Sequence, residues 1–138
     1  MDSKIYDIES LIAEEGFYVF KGEGGSMWPF IREGVDTVGV SRISGKLSRG
    51  EVILYRDKGG RYVLHRILEI RDDGSLVTRG DNCTLKEEVP AERVIAVMTS
   101  LWRGEKQVRL QSLSCRLYTS LVLHHPLLFR LCRRLLRH

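Results

Sequence analysis

Apolar positions in the first fifteen residues recur at helical spacing. Ile5, Ile8, Leu11 and Ile12 fall on one side of residues 4–14 with acidic residues between them, which predicts a short amphipathic helix ending near Gly16. The pattern then changes to that of strands. Phe17–Phe20, Thr37–Val40, Val52–Tyr55, Tyr62–Leu68, Leu76–Thr78 and Val94–Thr99 are short and rich in β-branched or aromatic residues. Turn signals separate them at Gly24-Gly25, Ser44-Gly45, Lys58-Gly59-Gly60, Asp72-Asp73-Gly74 and Gly80-Asp81-Asn82. A hairpin through Lys58-Gly59-Gly60 would pair 52–56 with 62–67. The expected architecture is mainly β, compact and mostly antiparallel.

From Leu113 the pattern is helical again, and Pro126 divides it at a position suited to the start of a second helix. In that second segment Leu127, Leu128, Leu131, Cys132, Leu135 and Leu136 fall on one half of the wheel. Arg130, Arg133, Arg134 and Arg137 fall on the other. The chain thus divides into a β-domain with its N-terminal helix, residues 1–112, and a basic amphipathic helical tail, residues 113–138.

Charge follows the same division. The net formal charge of +4 combines −3 over residues 1–101 (14 basic, 17 acidic) with +7 over residues 102–138, where eight basic side chains face only Glu105. A basic tail suits an anionic membrane surface, an acidic partner or nucleic acid. Nucleic acid is disfavoured, because no aromatic platform is interleaved with the arginines. Residues 126–138 are therefore expected either to lie against an anionic membrane or to pack on the β-body or a partner protein. With 138 residues, 43% of them apolar, the chain suffices for one domain with a real core.

Cys83, Cys115 and Cys132 are too few and too irregularly spaced for a disulfide framework or a zinc site, so no metal or cofactor is expected and a reducing compartment is the simpler reading. No apolar run precedes Phe17, so neither a secretory signal peptide nor an N-terminal anchor is expected. The charged and proline interruptions of the tail likewise argue against a span. The expected location is cytoplasmic, with any membrane contact peripheral.

Candidate chemistry begins at Gly24-Gly25-Ser26-Met27-Trp28-Pro29. Glycines before a serine permit a tight turn and close approach of a substrate chain, and a proline after it stiffens the far side. Alone, such a segment reads as a surface turn, because a serine hydroxyl needs a base to become a nucleophile. His65 is the available base. Strand alternation places it with Val63 and Ile67, apolar neighbours that would favour its neutral form. Asp81, Glu87 and Glu88 are available to orient the imidazole, although Asp81 and Asn82 equally suit a polar turn that binds backbone amides.

Taken in order, Ser26-Met-x-Pro29, Gly50-Glu51-Val52-Ile53, Val63-Leu64-His65-Arg66-Ile67 and Gly80-Asp81-Asn82 resemble the motif series of type I signal peptidases. The histidine makes the chain similar to the subgroup of the endoplasmic reticulum, archaea and some spore-forming bacteria; most bacterial members, and the related self-cleaving SOS repressors, carry lysine there. The resemblance covers about residues 17–100. It implies a signal-peptidase-like β-fold and serine endopeptidase activity on a leader or signal-like peptide.

By position the resemblance makes Ser26 the nucleophile, His65 the general base, Glu87 the catalytic acid in place of aspartate and Asp81 a supporting residue. Gly25, Met27 and Pro29 are the substrate-binding positions around the serine. Gly34-Val35-Asp36 resembles the family's Gly-Asp turn with one residue inserted. Gly24 stands where some relatives place a hydroxyl for the oxyanion, so a second donor must come from elsewhere or be missing. The competing expectation is a catalytically silent relative that binds a peptide in the same groove.

Overall fold

A computed structural model describes residues 7–137. Helix α1 (Ile8–Glu15) starts at Asp7, whose carboxylate accepts the Glu9 N–H. It ends at Gly16, whose left-handed φ of 82° returns its N–H to the Ile12 carbonyl. The N-terminal part of the helix expected over 4–14 lies outside the described residues. Eight strands follow: β1 (Phe17–Lys21), β2 (Asp36–Ser41), β3 (Val52–Arg56), β4 (Tyr62–Ile70), β5 (Leu76–Arg79), β6 (Glu87–Val89), β7 (Val94–Arg103) and β8 (Lys106–Val108). Helices α2 (Leu113–His124) and α3 (Pro126–Arg137) close the described chain, with Pro126 at the first position of α3.

The strands form one antiparallel sheet in the order β1-β2-β7-β3-β4-β5-β6, with β8 paired to β7. The β3–β4 hairpin has the expected register, from Val52 opposite Arg66 to Arg56 opposite Tyr62. Two short strands, β6 and β8, have no counterpart in the sequence pattern. Glu87-Glu88-Val89 and Lys106-Gln107-Val108 are mostly polar, and pairing with β5 and β7 makes them strands.

Strand alternation delivers side chains to two apolar clusters. One gathers Val38, Val40, Leu54, Met98 and Leu101 with Ile12 from α1, and also Met27 and Ile31 from the loop between β1 and β2. The other gathers Ile53, Tyr55, Ile67, Leu76, Val89 and Val97. Met27 and Ile31 therefore anchor the segment that follows Ser26 in the core. The loop is also closed at its base. Gly22 N–H donates to the Asp36 carbonyl, the Asp36 carboxylate accepts the Arg32 N–H, and Arg103 binds both that carboxylate and the Phe30 carbonyl. Among the described residues no helix is long and apolar enough to cross a membrane.

Candidate active site

The Gly80-Asp81-Asn82 turn clamps the serine turn from the other side. Asn82 donates its backbone N–H to the Ser26 carbonyl (2.8 Å) and its side-chain amide to the Gly25 carbonyl (2.9 Å). Asp81 N–H approaches the Met27 sulfur at 3.4 Å. Gly80 has no room for a side chain. A Cβ there would stand 2.5 Å from the Ser26 carbonyl oxygen, 2.8 Å from Cys83 Sγ and 2.9 Å from His65 Nε2. The serine turn and the imidazole thus converge on this one glycine, although Ser26 and His65 are 39 positions apart in the chain.

On the far side of the ring, His65 Nδ1 lies 3.2 Å from the Tyr55 hydroxyl. That hydroxyl donates to Glu87 Oε1 at 2.6 Å and lies 3.1 Å from Thr78 Oγ1. A phenol carries a single proton, and here it goes to the carboxylate. The Tyr55 oxygen is therefore the acceptor for the ring, which puts the imidazole proton on Nδ1 and leaves the Nε2 lone pair free on the Gly80 side. Burial holds His65 below its ordinary pKa, and the negative charges of Glu87 and Asp81 offset part of that shift. Burial and the bond to Glu87 push Tyr55 well above the ordinary range for tyrosine, so it stays protonated.

Asp81 is directed elsewhere. Its carboxylate takes a bidentate bond from Arg66 (2.8 Å to each oxygen) and a third from the Tyr118 hydroxyl at 2.7 Å. Arg66 is itself fully buried, binds the Gly50 carbonyl and lies over the rings of Phe30 and Tyr118. This cluster joins the serine loop, the Gly50 turn, the Asp81 turn and α2 into one unit. Asp81 makes no hydrogen bond to His65, so its link to the imidazole is through its charge and through the turn that it holds.

Ser26, Met27, His65, Cys83 and Glu87 all line one cavity of about 790 Å³, whose other walls include Ile8, Tyr18, Phe20, Leu54 and Leu64. Of the remaining expected site positions, Gly25 and Pro29 lie outside its lining and shape the turn instead. Glu87 makes no hydrogen bond to His65; the two are joined through the Tyr55 hydroxyl and by the carboxylate's charge. Ser26 Oγ makes no hydrogen bond to the ring, whose side-chain partner is Tyr55. The Ser26 N–H is engaged with no described residue and is free to meet an oxyanion.

Tyr55, Thr78 and Cys83 belong to the site without having stood out in the sequence. Tyr55 carries a readable signal only once the β3–β4 register is known, because it and His65 then share a face of adjacent strands. Cys83 is brought in by its own turn, its N–H bonding back to the Gly80 carbonyl.

No protein-family model and no curated protein matches the chain.

Proposed function

We propose that the chain is a serine endopeptidase of the signal-peptidase-like kind, with Ser26 as nucleophile and His65 as general base. The observation that carries this reading is the convergence of the serine turn and the free Nε2 of His65 on the side-chain-less Gly80. Ser26 Oγ attacks the peptide carbonyl as its proton passes to His65 Nε2. The ring, now charged, keeps its Nδ1–H on Tyr55 and returns the Nε2 proton to the departing amine. Water then attacks the acyl-serine and gives its proton to the same nitrogen, which passes it to the departing Ser26 Oγ as the acid is released. The Ser26 N–H faces the oxyanion in both steps. Glu87 stabilises the charged ring at one remove, through the Tyr55 hydroxyl.

The cavity suits an extended peptide. It is bordered by β1, which ends the sheet, and runs from Tyr18 and Phe20 through Lys21, Gly22, Glu23 and Gly24 to Ser26. A substrate strand adding to that edge would set apolar side chains against Ile8, Tyr18 and Phe20. Leader or signal-like peptides with an apolar stretch before the cleaved bond have this character.

The missing Ser26–His65 hydrogen bond favours a second reading, a catalytically silent module that binds such a peptide. A fluorophosphonate probe separates the two. The peptidase reading expects labelling of the wild type and loss of it in Ser26→Ala and His65→Ala. Labelling that persists in Ser26→Ala would overturn the nucleophile. A wild type that resists the probe, yet binds an apolar peptide, would establish the silent module.

A further inference from the structure

The tail helix docks through Phe129, Arg133 and Arg137, while Arg134 stays exposed. Arg133 donates to the Asp81 carbonyl at 2.8 Å, and Arg137 donates to the Asn82 side-chain oxygen at 2.7 Å while lying over the Trp28 ring. Phe129 is buried between them and α2, edge-on to Tyr118. Leu127, Leu128, Leu131, Leu135 and Leu136 consequently face outward, each between 50% and 77% exposed. A helix that merely covered a core would be turned the other way, and a contiguous apolar stripe of this kind marks an interaction surface.

Beside the start of α3 lies a recess of about 170 Å³ bordered by Arg49, Arg79, Lys86, Leu123 and Pro126. Arg79 is half-buried and forms no ion pair among the described residues, while the cations Arg130 and Arg133 press on it. Glu69 also lines the recess, but its carboxylate is engaged by Arg71. No acidic residue occurs between Lys106 and Arg137.

We propose that α3 and this recess form a docking surface for an anionic lipid membrane. The leucine stripe enters the boundary of the acyl chains, and Arg79, Arg130 and Arg134 meet headgroup phosphates. Charge favours this occupant over a second copy of the chain, since pairing two such faces would bring two uncompensated sets of arginines together. Because Arg133 and Arg137 hold the turn that clamps Ser26, docking sets the orientation of the 790 Å³ cavity relative to the membrane. The proposal does not depend on peptidase activity.

The test is co-sedimentation of the full chain with phosphatidylcholine vesicles, with and without phosphatidylglycerol. The chain is expected to sediment with the anionic vesicles only, and less so as salt rises. Leu128→Glu/Leu131→Glu should weaken that binding at least about tenfold, by removing apolar contact from the acyl boundary. Arg79→Gln/Arg130→Gln, which leaves the leucines in place, should weaken it as well. Equal binding to neutral vesicles would overturn the proposal, as would no binding to anionic vesicles by protein that circular dichroism shows to be folded. Self-association abolished by the leucine variant would assign the face to a second copy and overturn it too.

Discussion

Asp81 and Glu87 are two carboxylates from one short stretch of chain, and each accepts a hydrogen bond from a tyrosine hydroxyl. Their surroundings give them opposite roles. Asp81 is fully buried and matched by the guanidinium of Arg66, so its charge is neutralised where it sits. Glu87 forms no ion pair among the described residues and passes its charge through Tyr55 toward His65. The difference teaches that a carboxylate near a candidate base is not thereby its partner. A cation in contact makes it a structural tie, and an uncharged relay leaves it available to the base.

The largest effect should come from breaking the tie. Asp81→Asn leaves Arg66 buried without its counter-charge, a change that typically costs about 3–5 kcal/mol. For a domain of this size that lowers the melting temperature by roughly 10 °C or more, measurable by calorimetry. Loss of activity without loss of stability would erase the distinction between the two acids.

Next come Tyr55→Phe and Glu87→Gln, which interrupt the relay. Both are expected to lower kcat/KM on an apolar-leader peptide about 100-fold, with KM little changed, since ring orientation matters chiefly in the transition state. Thermal melting should shift far less than in Asp81→Asn. Equal losses of stability would mean that Glu87 is a structural tie as well.

The pH profile sharpens the comparison further. In the proposed mechanism His65 must be neutral to accept the Ser26 proton, and burial holds its pKa below the ordinary 6.5. Activity should therefore be level near neutrality and fall only as pH drops below 6.5. Glu87 raises the pKa of His65, so Glu87→Gln should move the acid limb to still lower pH. A limb that stays in place would show that the carboxylate charge does not reach the ring. The same sign applies to stability. The unfolded histidine takes up its proton first as pH falls, so this group destabilises the fold below 6.5.

The smallest expected effect is that of Arg137→Ala, which removes an exposed hydrogen bond to Asn82 and a ring contact with Trp28. It should cost at most about 1 kcal/mol in stability. Any larger fall in activity than in stability would reveal that α3 supports the Ser26 clamp dynamically.

Much of the architecture was legible before any coordinates. Short runs of β-branched and aromatic residues marked the six longer strands, glycine-rich turns separated them, and Pro126 marked the break between α2 and α3. Binary pattern and turn chemistry act over a few residues, so they can be read locally. The candidate nucleophile and base were legible for the same reason, each lying in a short, distinctive segment. β6 and β8 were not legible, because their polar residues become strands only through their partners.

Tertiary structure alone decided the rest. Strand register brought Tyr55 between His65 and Glu87, the residue that the resemblance had made the catalytic acid. Gly80 became the meeting point of two segments only when the Asp81 turn folded back on Ser26. The helical wheel separated leucines from arginines in α3 but could not say which side faced the body. That choice depended on the Asp81 carbonyl, the Asn82 amide and the Trp28 ring, acceptors and an aromatic face that exist together only in the folded protein. Periodicity defines the two faces of a helix, and the surface beneath it determines which face is buried.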